Sequence, residues 1–244
     1  MQTSVPSDVP CRLFRSPKGI ASMWTIELHS HTHYSKDSVV KFETIQRICQ
    51  QRQIDKIVIT DHNTAEGALA FQKIAPQLVI VGEEIMTTKG ELLGYFMQET
   101  IPAGLTPKDT IRALREQGAI ISVSHPFDEL RKGAWFEHDL LEIIDEVDAI
   151  ETFNARCVFD RYNERAKAFA KQHSLLGTVG SDAHLPQEYG MALARLHPFD
   201  TPQEFLHALQ SATTQEHLSP SYVHLGSSFA KWSRKLHLIP QPRQ

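Results

Sequence analysis

The sequence predicts an α/β fold in which a parallel sheet closes into a barrel beneath a layer of helices. Three observations predict it. Short runs of Val, Ile and Leu alternate with segments of helical spacing from residue 24 to residue 209, as repeated βα units do. The runs are continuous, which suits strands covered by helices. Ligand-type residues also gather at successive run ends: His29 and His31, Asp61 and His62, Glu83 and Glu84, His125, Glu151 and Asn154, Asp182 and His184. In a (β/α) barrel the carboxyl ends of the strands meet at one face, where barrel enzymes place their chemistry.

Taken in order, "WTIEL" (24–28) reads as a strand, and "KFETIQRICQQRQ" (41–53) spaces Phe42, Ile45, Ile48 and Cys49 as a helix does. "KIVIT" (56–60) is a β-branched run followed by a segment of helical composition at 65–74. "QLVIV" (77–81) is a buried strand, and "ELLGYFM" (91–97) follows closely enough to be its hairpin partner or the next barrel strand. "TPKDTIRALREQG" (106–118) offers Thr106 as N-cap, Pro107 at the first helical position and Gly118 at the close. Strands at 119–124, 148–153 and 175–180 alternate with helices near 137–146 and 158–173, and the pattern runs on to "TPQEFLHAL" (201–209).

At 244 residues the chain suits one large domain. We expect a flexible leader over residues 1–22, the barrel over 23–215, and a C-terminal extension over 216–244 with a short helix packing on the barrel through Phe229, Trp232 and Leu236. No run approaches the roughly 18–20 apolar residues a membrane helix needs. A net charge of −4 gives no general reason to hold a polyanion, so a nucleic-acid partner is not expected. Cys11, Cys49 and Cys157 are odd in number and form no C-x-x-C pair, which suits free thiols in the cytoplasm.

The stretch "ELHSHTHYSKDS" (27–38) carries the most chemistry. In extended chain His29 and His31 point to one face, with Glu27 a step below, and two converging imidazoles make half of a metal site. A lone H-x-H is as often a solvated strand end, and a lone D-x-H usually caps a helix. Six strand ends carrying such residues together fit neither explanation, because buried carboxylates and imidazoles need partners, and divalent cations supply them.

In that order, "ELHSHTHYSKDS", "ITDHNT", "VGEEI", "SHPF", "ETFNAR" and "GSDAH" resemble the motifs of the PHP (polymerase and histidinol phosphatase) family, over about residues 24–190. The resemblance implies a distorted (β/α)7 barrel related to the amidohydrolases, with two or three divalent ions (Mn, Fe or Zn) at the carboxyl ends of the strands. Phosphoester hydrolysis is the commonest activity it implies. Position by position, it puts His29, His31, Glu84 and Asp182 on one ion and Asp37, His62 and His184 on a second. A further ion would take Glu84, His125 and a histidine that the family often carries in the next strand. Here that strand reads "GELLGYF", so either Glu91 substitutes or the third position is weak or empty. Asp37 stands where several relatives have His, a change toward oxygen ligation that favours Mn²⁺ or Fe²⁺ over Zn²⁺.

The expected function is hydrolysis of a small phosphorylated substrate, a nucleotide or sugar phosphate, by hydroxide formed on a divalent ion. Glu84, Asp182 and His125 are the expected catalytic residues. Arg156 is expected to fork onto the phosphate and His33 to line the rim, while Asp61 and Glu27 orient ligand histidines. The alternatives are a nuclease and a metal-binding module without turnover.

Overall fold

A computed structural model of the protein describes residues 23–223 and residue 236. The expected leader, and the helix of the C-terminal extension apart from Leu236, lie outside the described residues. The chain runs β1 (Trp24–Glu27), α1 (Phe42–Arg52), β2 (Lys56–Ile59), α2 (Glu66–Ile74), β3 (Val79–Met86), β4 (Glu91–Tyr95), α3 (Pro107–Glu116) and β5 (Ile120–Val123). It continues through α4 (Glu137–Leu141), β6 (Ala149–Asn154), α5 (Arg161–His173), β7 (Leu176–Gly180), β8 (Ala192–Leu196), α6 (Pro202–Leu209) and β9 (Thr213–Glu216). No helix among the described residues is long and apolar enough to cross a membrane.

The strands form one sheet in the order β7-β6-β5-β4-β3-β2-β1-β8-β9. Beyond β1, Ser30 bridges Ala183 in parallel fashion; the Asp182 N–H donates to the His29 carbonyl at 2.8 Å and the His31 N–H to the Ala183 carbonyl at 2.9 Å. These bonds bring the sheet nearly round on itself, with β8 and β9 left as an antiparallel wing beside β1. Glu27 holds the fork where wing and barrel part. It accepts the Ser181 and Gly190 N–H groups at 2.9 Å each, the Ser181 hydroxyl, and the His29 N–H at 3.3 Å.

The sheet is not uniformly parallel. β4 runs antiparallel to both β3 and β5, so the segment at 91–97 is at once the hairpin partner of β3 and a barrel strand. Its reversal has a chemical effect. The first residue of β4, Glu91, lies opposite Met86 at the mouth where the parallel strands end. The helix expected near 137–146 is only Glu137–Leu141.

Side chains alternate across the sheet with period two. Ile57, Ile59, Val81, Leu92 and Ile121 pack outward under the helices, with Phe71 and Leu114 among their partners. Val58, Ile80, Leu93, Tyr95 and Ile120 point inward with Phe205 and Leu209 of α6. Each such buried side chain contributes about 1.5–3 kcal/mol. Caps fix the helix starts: Thr106 accepts the Asp109 N–H, and Thr201 and Glu204 form a capping box.

Candidate metal centre

The inward parity of β3 selects its functional carboxylate. Ile80, Gly82 and Glu84 share the inner face, whereas Glu83 faces outward, where its Oε2 accepts the Ile101 N–H at 2.9 Å and burial pushes its pKa up to about 8. Glu84 is the hub of the site. Its Oε1 lies 3.4 Å from His29 Nε2 and 3.0 Å from His125 Nε2, and its Oε2 lies 3.4 Å from His31 Nε2 and 2.9 Å from His62 Nδ1.

Three groups of donor atoms surround this hub. His29 Nε2, His31 Nε2, Glu84 and Asp182 Oδ1 form the first, with His29 and His31 3.2 Å apart and Asp182 Oδ1 3.6 and 3.1 Å from them. Asp37, His62 Nε2 and His184 Nε2 form the second, at mutual distances of 3.3–3.4 Å. Glu84, Glu91 and the two rings His62 and His125 form the third, with Glu91 Oε2 3.3 Å from His125 Nε2. Thus His29, His31, Asp37, His62, Glu84, His125, Asp182 and His184, scattered along the sequence, share one mouth. Apart from the partly buried His62, they are buried.

The surrounding hydrogen bonds set the imidazole tautomers. His29 Nδ1–H donates to Glu151 Oε1 at 2.9 Å and His184 Nδ1–H to the Asp182 carbonyl at 2.8 Å. His31 Nδ1–H donates to Ser35 Oγ at 3.0 Å, since the Ser35 hydroxyl is itself committed to Asp61. In these neutral tautomers each Nε2 presents a lone pair toward its neighbours, as metal-ligating histidines do. Facing lone pairs repel unless a cation lies among them. Glu84 Oε2 and Asp182 Oδ1 are also buried and accept no hydrogen bond. The separations match too: a tetrahedron of bonds near 2.0–2.1 Å has edges of about 3.3–3.4 Å. The residues present therefore fit divalent ions.

Without an ion the site balances its charges internally. Burial pulls the pKa of His29 down, but Glu84, Asp182 and Glu151 outweigh it and hold the ring well above its ordinary value. His62 is raised in the same way by Asp37 and Glu84. His31 goes the other way, lowered by burial and then by His184 and His62. Burial would raise Glu84, Asp37 and Asp182; His29 and His62 hold Glu84 low, His62 and His184 hold Asp37 low, and Arg131 and His29 hold Asp182 low. Asp182 and His125 have positive φ, 50° and 23°, a conformation that costs a non-glycine residue of order 1–3 kcal/mol.

Some expected residues sit differently. His33 leaves the cluster, its ring packed 4.9 Å from those of Tyr34 and Phe42. Arg156 is buried, with Nε 3.1 Å from Glu188 Oε1. Glu188 in turn accepts the His184 N–H at 3.0 Å, so Arg156 braces the loop that carries His184. Glu27 touches the His29 backbone, not its ring, and Asp61 reaches His31 only through Ser35. The ring of His29 is oriented by Glu151 instead. Arg131 drew no attention in the sequence, yet its guanidinium donates to Asp182 Oδ2, to Asp128 Oδ2 at 2.9 Å and to Asn154 Oδ1 at 3.2 Å. Cys49 and Cys157 are free, buried thiols with no part in the cluster; Cys11 lies outside the described residues.

Comparison with known proteins agrees with this fold. The sequence profile of the PHP domain matches residues 27–170, and a PHP-associated profile matches residues 160–214. An uncharacterized protein of Methanocaldococcus jannaschii, MJ0417, is 32% identical over 200 residues, 78% of this chain and 81% of that protein. A second from the same organism, MJ1587, is 36% identical over 145 residues, 53% of this chain and 81% of that protein. Among solved structures, PsfC from Pseudomonas syringae superposes with a TM-score of 0.64 at 18% identity, covering 87% of this chain and 99% of that one. A two-domain protein from Bacteroides vulgatus, described as containing a predicted PHP-like metal-dependent phosphoesterase, gives 0.65 at 17% identity, covering 80% and 65%. At these identities the structural likeness speaks for the fold.

Proposed function

The chain belongs to the PHP family, and from that premise we propose that it is a metal-dependent phosphoesterase acting on a small phosphorylated molecule of the nucleotide or sugar phosphate class. The observation that carries this reading is the convergence of His29, His31, Glu84 and Asp182 donor atoms, 3.1–3.6 Å apart, in a buried mouth. Divalent ions bound there supply Lewis acidity and make hydroxide available near neutral pH.

The residues divide the remaining work. Glu84 offers one oxygen to each side of the hub, and Asp182 turns Oδ1 toward His29 and His31 while Oδ2 accepts from Arg131. His125 stands beside Glu84 and completes the side of the hub away from Asp37. Glu151, Ser35 and the Asp182 carbonyl hold the protons of His29, His31 and His184 away from the mouth, leaving each Nε2 free to bind. Arg131, whose side chain is 23% exposed, is the cation placed to fork onto phosphate oxygens. Arg156 and His33 act a step back, through the His184 loop and the packing around α1.

The test offers purified protein, supplied with Mn²⁺, Zn²⁺ or Fe²⁺, a panel of phosphomonoesters, phosphodiesters, oligonucleotides and amides. Hydrolysis of small phosphoesters, lost in His29→Ala, supports the reading. Preference for oligonucleotides would establish a nuclease instead. A fully metallated protein inert to the whole panel would leave a binding module.

A further inference from the structure

Among the described residues six other than glycine have positive φ: Gln53, Asn63, Phe96, His125, Ser174 and Asp182. Five have an evident reason. Gln53 and Ser174 close α1 and α5 in the left-handed conformation. Asn63 belongs to a residue type that tolerates it, and His125 and Asp182 stand in the mouth. Phe96, with φ 63°, is bulky and follows β4 at the other end of the barrel.

The strain re-aims one ring. Strand alternation would send Tyr95 inward, Phe96 outward and Met97 inward. Instead Tyr95 and Phe96 both pack with the inner cluster, and Met97 joins the outer one under the helices. Pairing with β3 survives the kink, since the Met97 N–H donates to the Val81 carbonyl at 3.1 Å. Phe96 so comes within 6.0 Å of Phe199 and 5.6 Å of Phe205, centroid to centroid, and Trp24 adjoins Phe199 at 5.3 Å. Strain of this kind persists only where the surroundings impose it, and it gathers at ligand clamps.

The Phe96 ring lines a cavity of about 290 Å³ at the end of the barrel where β2 and β3 begin. Phe96, Phe199 and Val81 give it apolar walls, and Lys56, Gln72 and Asp200 bring polar groups to it. Lys56 Nζ lies 4.9 Å from the centroid of the Trp24 ring, with the acids Asp200 and Asp55 acting on its charge, so no net cation awaits a phosphate there. Gln72 donates to the Val79 carbonyl at 3.4 Å and keeps its Oε1 as an acceptor. The volume stands at the lower edge of the range for small-molecule sites, too small for a peptide helix. A matching ligand has a flat face for the rings and, along its edge, an acceptor for the ammonium and a donor for the carboxylate. Nucleobases have all three.

We propose that this cavity binds the base of a nucleoside or nucleotide, as a second site at the opposite end of the barrel from the metal mouth. The base stacks on Phe96, accepts from Lys56 and donates to Asp200. None of the mouth's residues takes part, so the inference is independent of the proposed hydrolysis.

Equilibrium dialysis of metal-stripped full-length protein against nucleosides of each base, with ribose as control, tests it. Nucleosides carry no phosphate for the mouth. One nucleoside per chain is expected to bind with Kd below about 1 mM, and ribose is expected not to bind. Asp200→Ala and Lys56→Met weaken binding about tenfold or more, the value of one hydrogen bond to a charged group. Phe96→Leu keeps apolar bulk but removes the flat face, and weakens it about fivefold to a hundredfold. His29→Ala, at the other end, leaves it unchanged. A nucleoside 5′-monophosphate that binds more tightly than its nucleoside assigns the site to nucleotides, and equal binding assigns it to the base alone. Failure of every nucleoside to bind overturns the proposal, as does binding that His29→Ala abolishes or that Asp200→Ala and Phe96→Leu leave intact. If Phe96→Leu fails to fold, Asp200→Ala decides alone, because that residue is exposed.

Discussion

Arg131 donates to Oδ2 of Asp182 and so leaves Oδ1 turned toward His29, 3.6 Å away, and His31, 3.1 Å away. With the Asn154 amide, which donates to the same Oδ2 at 3.3 Å, it fixes which carboxylate oxygen is available at the centre. With Asn154 and Asp128 holding the same guanidinium, Arg131 is a rigid positive charge at the edge of the mouth. Replacing it with Lys keeps a charge but removes the planar fork. Arg131→Lys is expected to raise KM for a phosphoester about tenfold to a hundredfold, the value of one or two charged hydrogen bonds. Steady-state kinetics beside Arg156→Lys check this. Arg156, committed to Glu188, is expected to lower metal retention rather than raise KM, and the opposite split would exchange their roles.

If divalent cations bind the folded mouth as proposed, they have no assembled site in the unfolded chain, and stripping them is expected to destabilise the protein. At free ion a hundredfold above Kd the loss is about 2.7 kcal/mol, a fall in Tm of roughly 5–10 °C for a domain of this size. Calorimetric scans with and without chelator measure it. His31→Ala, which removes a central donor, is expected to abolish most of the difference. Equal melting of stripped and loaded wild type would mean that the mouth holds no ion with useful affinity.

Metal binding must also expel protons. In the ion-free protein burial pulls His29 and His62 down, but Glu84, Asp182 and Asp37 outweigh it and raise both. Ligating rings must be neutral, so affinity is expected to climb with pH through the neutral range. Stability of the stripped protein runs oppositely. A folded pKa above the unfolded value contributes stability that is complete below the ordinary histidine pKa of about 6.5 and is lost as pH rises through the raised folded value. Titration calorimetry of Mn²⁺ in two buffers of different ionisation enthalpy should give unequal apparent heats, and identical heats would refute proton release.

The way these groups became visible follows from geometry. His29 and His31 were legible because strand alternation alone puts both on one face. "GEE" offered two carboxylates, and only the family resemblance singled out Glu84, because the strand runs on to Met86, buried nearly throughout, and no polar alternation in the sequence reveals which face is inner. Glu91 depended on the reversal of β4, which turns the start of a strand toward the mouth and so escapes a rule about strand ends. Arg131 sits in an irregular loop with no periodicity to aim it. Arg156, by contrast, followed a readable strand end, yet its partner Glu188 comes from a loop whose path no local pattern dictates.

The fork at Glu27 offers a test of the fold apart from any metal. Its carboxyl group accepts from Ser181 N–H and hydroxyl, Gly190 N–H and His29 N–H, joining β1 to both the closing segment after β7 and the wing. Gln at this position keeps the shape but turns an NH₂ group toward N–H donors that also point inward, leaving at least one of them unsatisfied. Glu27→Gln is expected to lower stability by about 1–3 kcal/mol, the cost of an unmet buried donor. Chemical denaturation of the stripped proteins measures this without interference from bound ions. Hydrogen exchange should localise the loss to the Ser181 and Gly190 amides. An unchanged midpoint with unchanged protection there would show that closure of the barrel relies on the Ser30–Ala183 bridge alone.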